Sequence, residues 1–341
     1  MRSPRPHRRR LLLVGFGQRG RQWHDACRRR RDVVVAGVVD PDRAAQETAQ
    51  RVGLQAWATI EEGQRLGGVE AAILASPPWE HAAQALECLS LGLPVLVEKP
   101  FTLSLEDAAR VANESARLGI PVAVGQNFRF LRRERAVRKA LAGDVGRPLS
   151  ASIVSARPAS AAMPHLASIE HGAVWDICLH HLDALRIRFG GAPDTAAMTV
   201  SHIGAGPGAR TLYQLLLEWP GGPTVAYRHS EGSPGYHHSE WIECERRAVL
   251  VENQAVSLVF PRHRPRRVRV PRRPQPEQAV LDDFLGAVQT GDAPALSAAD
   301  NLTTIATVAA AVRSEAVGSA VTVVEIGEAS ASFSGARRSA R

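Results

Sequence analysis

A carboxylate and an imidazole fall four residues apart in a stretch whose pattern predicts a helix. Asp176 and His180 would share one face of that helix, because residues at i and i+4 are neighbours on a helix surface. An imidazole has a pKa near neutrality and can exchange a proton, while a carboxylate can bind a hydroxyl group or hold the imidazole. The pair predicts general acid–base chemistry, although a capped or solvent-facing stripe would have the same spacing.

Lysine is rare in this chain. Lys99 and Lys139 are the only two lysines among 42 basic residues. Lys99 stands directly after a predicted strand, at the end of a sheet where parallel strands place their ligands. Lysine is a compact donor that can lose its proton at an accessible pKa. Arginine is larger and planar, and it stays protonated. We interpret Lys99 as a functional residue rather than a chance surface lysine.

A G-x-G-x-x-G motif lies between the first predicted strand and the first predicted helix. Its glycines would allow a tight turn and bring the helix N-terminus to a pyrophosphate. Asp40 follows the motif by 20 residues, where a carboxylate can hold ribose hydroxyls. The residues of the motif are Gly15, Phe16, Gly17, Gln18, Arg19 and Gly20. Together these features predict a dinucleotide site rather than a plain strand–turn–helix.

The choice between the two nicotinamide dinucleotides depends on Asp40. A carboxylate at this position repels a 2′-phosphate and therefore favours NAD over NADP. Arg43 lies close enough to contact such a phosphate, although an exposed helix position is the simpler interpretation of this residue.

Other histidines and the cysteines do not predict a metal site. In an α-helix His181 would turn away from Asp176, and His237 and His238 would point to opposite faces of a strand. No pair of the four cysteines has CxxC spacing. We therefore expect neither a metal nor a disulfide framework.

The net charge of +8 is concentrated in segments that do not predict a nucleic-acid surface. Fifteen arginines lie in residues 1–10, in Arg262–Arg273 and at the C-terminus, and without them 27 basic residues remain against 34 acidic ones. A nucleic-acid domain needs a basic stripe with stacking or base-reading residues on a folded face. We expect no nucleic-acid partner, and we interpret Arg262–Arg273 as a solvated connection. No apolar run approaches the length of a membrane span, so we expect a cytoplasmic protein without a membrane anchor.

Strands alternate with helices over the first 125 residues, which predicts an α/β fold with a doubly wound parallel sheet of the Rossmann type. After residue 125 the pattern changes to one helix, a strand, the helix with Asp176, and then consecutive strands with short Gly/Pro connections. This order predicts a C-terminal α/β domain with an open, mainly antiparallel sheet. The expected domains are a dinucleotide-binding domain, residues 1–125, and a substrate and oligomerisation domain, residues 126–330.

Five motifs resemble, in order and spacing, those of the Gfo/Idh/MocA oxidoreductase family, named for glucose–fructose oxidoreductase and inositol dehydrogenase. The resemblance runs from about Leu11 to about Ile326. The matching stretches after the glycine motif are Ser76-Pro77-Pro78 with His81, Glu98-Lys99-Pro100, residues 124–130 with Gln126, Asp176 with His180, and a closing segment with Asp283-Phe284, residues 291–294 and residues 297–300.

The resemblance implies reversible hydride transfer between a nicotinamide cofactor and a secondary alcohol of a polyol, sugar, inositol or sugar derivative. It implies Lys99, Asp176 and His180 as one catalytic unit, a homodimer or homotetramer formed through the C-terminal sheet, and a cis peptide bond before Pro100. The cofactor-binding set would be the glycine motif and Asp40 together with Ser76, Pro77, His81, Glu98, Lys99 and Gln126. Two alternatives stay open: an NAD-dependent glycosidase acting by transient oxidation, and a non-catalytic NAD-binding regulator.

Overall fold

The computed structural model describes residues 8–158, 166, 168–272 and 275–323. The chain divides into two compact units. The first unit is the described part of Met1–Asn127 together with Pro276–Leu302, and the second is the described part of Phe128–Gln275 and Thr303–Arg341.

The first unit contains a parallel sheet of six strands among the described residues, which confirms the expected Rossmann architecture. The strand order is β3-β2-β1-β4-β5-β6. The strands are β1 (Arg9–Val14), β2 (Val33–Val39), β3 (Gln55–Trp57), β4 (Ala71–Leu74), β5 (Val95–Val97) and β6 (Val122–Val124). The helices are α1 (Gln18–Arg28), α2 (Arg43–Arg51), α3 (Ile60–Gly67), α4 (His81–Ser90) and α5 (Leu105–Leu118). The chain reverses direction across the sheet between β1 and β4, and ligands of such sheets bind at that point.

The sequence pattern does not predict strand β3 or helix α3 of this unit. Strand β3 has only three residues, and α3 contains two glycines that lower its helix propensity. Packing explains these glycines. A Cβ on Gly63 would lie 2.7 Å from Leu12, and a Cβ on Gly67 would lie 2.9 Å from Trp57. The helix forms because its glycine face can approach the sheet closely.

The second unit contains a sheet of nine strands among the described residues, in the order β14-β13-β12-β11-β7-β10-β9-β8-β15. All neighbours pair antiparallel except β7 and β10, which are parallel. The strands are β7 (Pro148–Arg157), β8 (Thr195–Ile203), β9 (Arg210–Glu218), β10 (Thr224–Glu231), β11 (His237–Cys244), β12 (Ala248–Glu252), β13 (Ala255–Phe260), β14 (His263–Arg267) and β15 (Val321–Thr322). The helices are α6 (Arg132–Leu141) and α7 (Leu179–Phe189), the latter preceded by a π-helix, Val174–Cys178. The expected mainly antiparallel sheet is confirmed.

Helices α8 (Pro276–Thr290) and α9 (Ala298–Val317) follow. The sequence pattern places α8 in the second domain, but the structure groups it with the first unit. Gln278 donates a hydrogen bond to the carbonyl oxygen of Ala26, and Asp282 forms an ion pair with Arg30. A single boundary near residue 125 therefore does not describe α8, whose partners in the first unit lie about 250 residues earlier in the sequence.

The arginine-rich segment differs from the expected connection. Residues 263–267 form the exposed edge strand β14, which pairs with β13. The guanidinium groups of Arg247 and Arg266 lie 4.9 and 5.1 Å from the ring centre of Phe260, so cation–π contacts hold this edge. Arginine and proline on an edge strand also discourage pairing with other chains. Arg273, Arg2, Arg5 and the C-terminal arginines lie outside the described residues. The N-terminal cluster is not all tail, because Arg9 and Arg10 begin β1 and Arg9 pairs with Glu70.

None of the helices in the described part combines the length and the apolar character that crossing a membrane requires.

Candidate active site

The glycine motif forms the turn between β1 and α1, and each glycine has its own steric reason. Gly15 has φ +88°, and a Cβ there would lie 2.7 Å from the backbone nitrogen of Ser76. A Cβ on Gly20 would lie 2.0 Å from the carbonyl oxygen of Gly15. A Cβ on Gly17 would meet nothing within 4 Å. Gly15 and Gly20 therefore close the turn, while Gly17 leaves space beside the start of α1, and a pyrophosphate fits this cradle.

Asp40 is anchored to that turn. One carboxylate oxygen accepts a hydrogen bond from the backbone N–H of Phe16 at 2.7 Å, and the other accepts from the backbone N–H of Asp42 at 2.9 Å. Each carboxylate oxygen has two lone pairs, so further acceptor capacity remains for hydroxyl donors. The predicted ribose-binding carboxylate thus stands at the end of β2, beside the glycine turn.

Glu98 connects the glycine turn with Lys99. The buried Glu98 carboxylate accepts hydrogen bonds from the indole of Trp23 at 2.8 Å, from Arg19, and from the backbone N–H of Lys99 at 2.9 Å. Arg19 and Trp23 both lie in the first turns of α1. Glu98 therefore fixes the end of β5 to the helix that follows the glycine turn, which is a positioning role.

His81 supports the same edge of the sheet from inside. Its Nδ1 lies 2.8 Å from the carbonyl oxygen of Pro100, and its Nε2 lies 3.0 Å from that of Ser76. Burial lowers the pKa of His81 despite these two acceptors. The ring thus ties the Ser76-Pro77 turn to the segment after Lys99. The Lys99–Pro100 peptide bond is cis, as the resemblance implies.

The carboxyl ends of the parallel strands bring these residues to one edge of the first unit. Each of five strands is followed closely by a predicted cofactor residue: β1 by Gly15, β2 by Asp40, β4 by Ser76, β5 by Glu98 and Lys99, and β6 by Gln126. This is the edge at which doubly wound sheets bind ligands.

Asp176 and His180 lie in the second unit. Asp176 belongs to the π-helix and His180 to α7, and the side chains are buried. A π turn takes more residues than the 3.6 of an α turn, so a spacing of four still returns to nearly the same side. The ring of His180 stacks on Phe128 with ring centres 4.0 Å apart. Packing therefore holds the imidazole in one orientation.

His181 was expected to turn away from Asp176 in an α-helix, but the two side chains meet neighbouring strands. Its Nδ1 lies 2.8 Å from the hydroxyl of Tyr227 on β10, and Asp176 accepts a hydrogen bond from Arg157 on the neighbouring strand β7. The π turn changes the phase of the helix, so both side chains reach the same pair of strands. Burial lowers the pKa of His181 well below its usual value, which keeps the ring neutral.

The sequence analysis did not predict a buried cluster of polar side chains on β7 and β10. Ser155 and Arg157 belong to β7, and Tyr227, His229 and Glu231 belong to β10. The signal was a run of polar residues at alternate positions of a strand, which share one face. Because that face is buried here, these residues must bond one another.

The part of the chain that the structure describes contains no group of three or more His, Cys, Asp or Glu side chains placed to hold a metal ion.

Comparison with known proteins adds the family. Residues 9–126 match the model of an oxidoreductase family with an NAD-binding Rossmann fold. The rhizopine catabolism protein MocA of Rhizobium meliloti is 27% identical over 213 residues, which cover 61% of this chain and 67% of that protein. Inositol 2-dehydrogenase of Leifsonia xyli subsp. xyli is 32% identical over 142 residues, which cover 40% of this chain and only 42% of that protein.

A solved structure resembles the fold over nearly the whole chain. An oxidoreductase from Agrobacterium radiobacter, in complex with NAD+, L-tartaric acid and magnesium, has a TM-score of 0.78 at 20% identity, covering 92% of this chain and 98% of that chain. Residues 9–126 of this chain therefore match the NAD-binding Rossmann fold of the Gfo/Idh/MocA oxidoreductase family.

Proposed function

We propose that the chain is an NAD-dependent dehydrogenase that transfers a hydride between the nicotinamide and a secondary alcohol of a polyol, sugar, inositol or sugar derivative. The observation that carries the proposal is the Glu98 contact, which fixes the backbone of Lys99 to the helix of the glycine cradle. A lysine held at the cofactor edge suits a reaction on a substrate bound beside the cofactor. The name of the inositol 2-dehydrogenase relative supports the polyol class.

The proposal assigns a role to each candidate residue. Bound NAD would supply the hydride acceptor. His180 removes the proton of the substrate hydroxyl, since an imidazole with a pKa near neutrality suits that task. Asp176 binds the hydroxyl or holds the imidazole. Lys99 donates a hydrogen bond to the reacting oxygen and stabilises its developing negative charge.

Absorbance of NADH tests this function. The protein with NAD is offered myo-inositol, other polyols and free sugars, and we expect NADH to accumulate with at least one of them. A glycosidase acting by transient oxidation would release a sugar from a glycoside without net NADH. Calorimetric binding of NAD with neither outcome would favour the non-catalytic regulator and contradict the proposal.

We expect tighter binding of NAD than of NADP, by on the order of tenfold or more, because the anchored Asp40 carboxylate repels a 2′-phosphate. The Arg43 side chain is 91% exposed and pairs with Glu47, so it does not offset Asp40. Calorimetric titration with both cofactors measures the ratio. Arg43→Ala is the control and should leave the ratio unchanged, whereas tighter NADP binding that disappears in this variant would contradict the role given to Asp40.

We propose further that the outer face of the second unit's sheet is a homo-oligomer interface. Leu216 and Trp241 are 46% and 42% exposed, and the strand register aligns them in one row with Ala226 and Ser152. Exposed apolar rows of this kind mark protein contacts. In sedimentation velocity we expect an oligomer that Trp241→Arg dissociates. Leu66→Arg, on the exposed surface of α3, should leave it intact; a wild-type monomer at micromolar concentration would contradict the proposal.

A further inference from the structure

Asp176 is paired with an arginine that the sequence motifs do not include. Arg157 is the last residue of β7, and both side chains are more than nine-tenths buried. Its Nη1 donates a hydrogen bond to Asp176 at 2.5 Å, and its Nε donates to Glu231 at 2.7 Å. One guanidinium thus joins the helix that carries the candidate catalytic pair to strand β10.

Further hydrogen bonds continue beyond Glu231. His229 Nε2 lies 3.0 Å from the Glu231 carboxylate, which accepts, so this nitrogen donates. In that neutral tautomer His229 Nδ1 accepts from Ser155 at 2.6 Å. The Ser155 hydroxyl lies 3.3 Å from the Tyr227 hydroxyl, which lies 2.8 Å from Nδ1 of His181. The polar contacts therefore extend from Glu231 to the helix that carries His181.

The buried Asp176 carboxylate needs the Arg157 guanidinium in order to stay ionised. A buried carboxylate loses its hydration and tends to take up a proton unless a cation lies beside it. Burial lowers the pKa of Arg157, but the carboxylates of Asp176 and Glu231 outweigh burial and raise it, so the guanidinium stays charged. Among the described residues, the titratable groups around this cluster include Tyr213 of β9, Tyr227 and His229 of β10, and Cys178 and His181 of the helix that carries Asp176.

We propose that Arg157, oriented by Glu231, is the positioning residue that keeps the Asp176 carboxylate ionised and correctly placed for the dehydrogenase reaction. The catalytic part of this inference rests on the proposed function. An ionised Asp176 acts as a hydrogen-bond acceptor for the substrate or for His180, and it does not itself carry the proton away.

Carbon-13 NMR of the full chain, labelled at the aspartate carboxyl carbon, tests the inference without turnover. Asp176→Asn assigns the Asp176 resonance. We expect Arg157→Gln to raise the pKa of Asp176 above that of the wild type by at least about 1, since a neighbouring opposite charge lowers a carboxyl pKa by about 1 to 3. Arg157→Lys keeps the charge and should restore most of the difference.

Two variants separate this role from a general effect on folding. In Glu231→Gln the amide oxygen can still accept from Arg157 and only the second negative charge is lost, so this variant should not raise the Asp176 pKa. Arg129→Lys alters another buried ion pair of α7, that of Arg129 with Asp183, and should lower Tm without moving the Asp176 resonance. An Asp176 resonance that titrates alike in wild type, Arg157→Gln and Arg157→Lys would overturn the inference.

Turnover with a substrate found in the NADH assay tests the catalytic part. Below the acid limb that His180 sets as general base, kcat/KM should fall more steeply with pH in Arg157→Gln, because Asp176 also takes up a proton there, and the slope should return toward that of the wild type in Arg157→Lys. Absence of turnover in the wild type would contradict the proposed function and leave the NMR result standing. Turnover with an unchanged acid slope and an unmoved resonance would contradict the inference alone.

Discussion

Replacement of His180 by Ala is expected to lower kcat by on the order of 10²-fold or more, which is the size of a general-base contribution. The His180 ring stacks on Phe128, which holds the imidazole in one orientation. NAD affinity should change little, because the residues proposed to bind the cofactor belong to the first unit. Steady-state kinetics with the substrate found in the NADH assay, together with calorimetry of NAD, measures both quantities.

His181 provides the matched control for His180. It is buried and bonded to Tyr227, so truncation to Ala would leave a cavity and a polar group without its partner. His181→Gln keeps a polar side chain toward Tyr227 and should retain most of kcat with some loss of Tm. An inactive His181→Gln variant beside an active His180→Ala variant would show that the assigned helix phase, and with it the site, is wrong.

Replacement of Lys99 by Met is expected to lower kcat by a similar factor, on the order of 10²-fold or more, by removing the donor that stabilises the developing alkoxide. Methionine keeps the length and most of the volume of the side chain, so the loss reports the ammonium group. Steady-state kinetics at saturating NAD measures it. The backbone N–H of residue 99 can still donate to Glu98 in this variant, so the turn should keep its position.

The second lysine of the chain is the natural control. Lys139 lies exposed on α6 and donates a hydrogen bond to the carbonyl oxygen of Arg269. Lys139→Met should therefore leave kcat unchanged. Equal losses in the Lys99 and Lys139 variants would mean that a general electrostatic effect, and not a placed donor, explains the result.

The sequence by itself determined the features that depend on neighbouring residues. The glycine motif required a tight turn because its glycines stand between a buried apolar strand and a helix, and the structure shows the close approaches at Gly15 and Gly20. Asp40 could be found from its spacing, since a carboxylate that ends the second strand of such a sheet must lie beside that turn. Alternating patterns likewise predicted the parallel and the mainly antiparallel sheet.

Only the tertiary structure decided which partners these residues have. Glu98 bonds Arg19 and Trp23, which lie 79 and 75 residues away, and Arg157 bonds Glu231 across 74 residues. No local pattern specifies such pairs, because burial forces polar groups to find partners wherever the fold brings them. The same holds for the π turn before α7, which changed the direction of His181, and for α8, whose contacts return it to the first sheet.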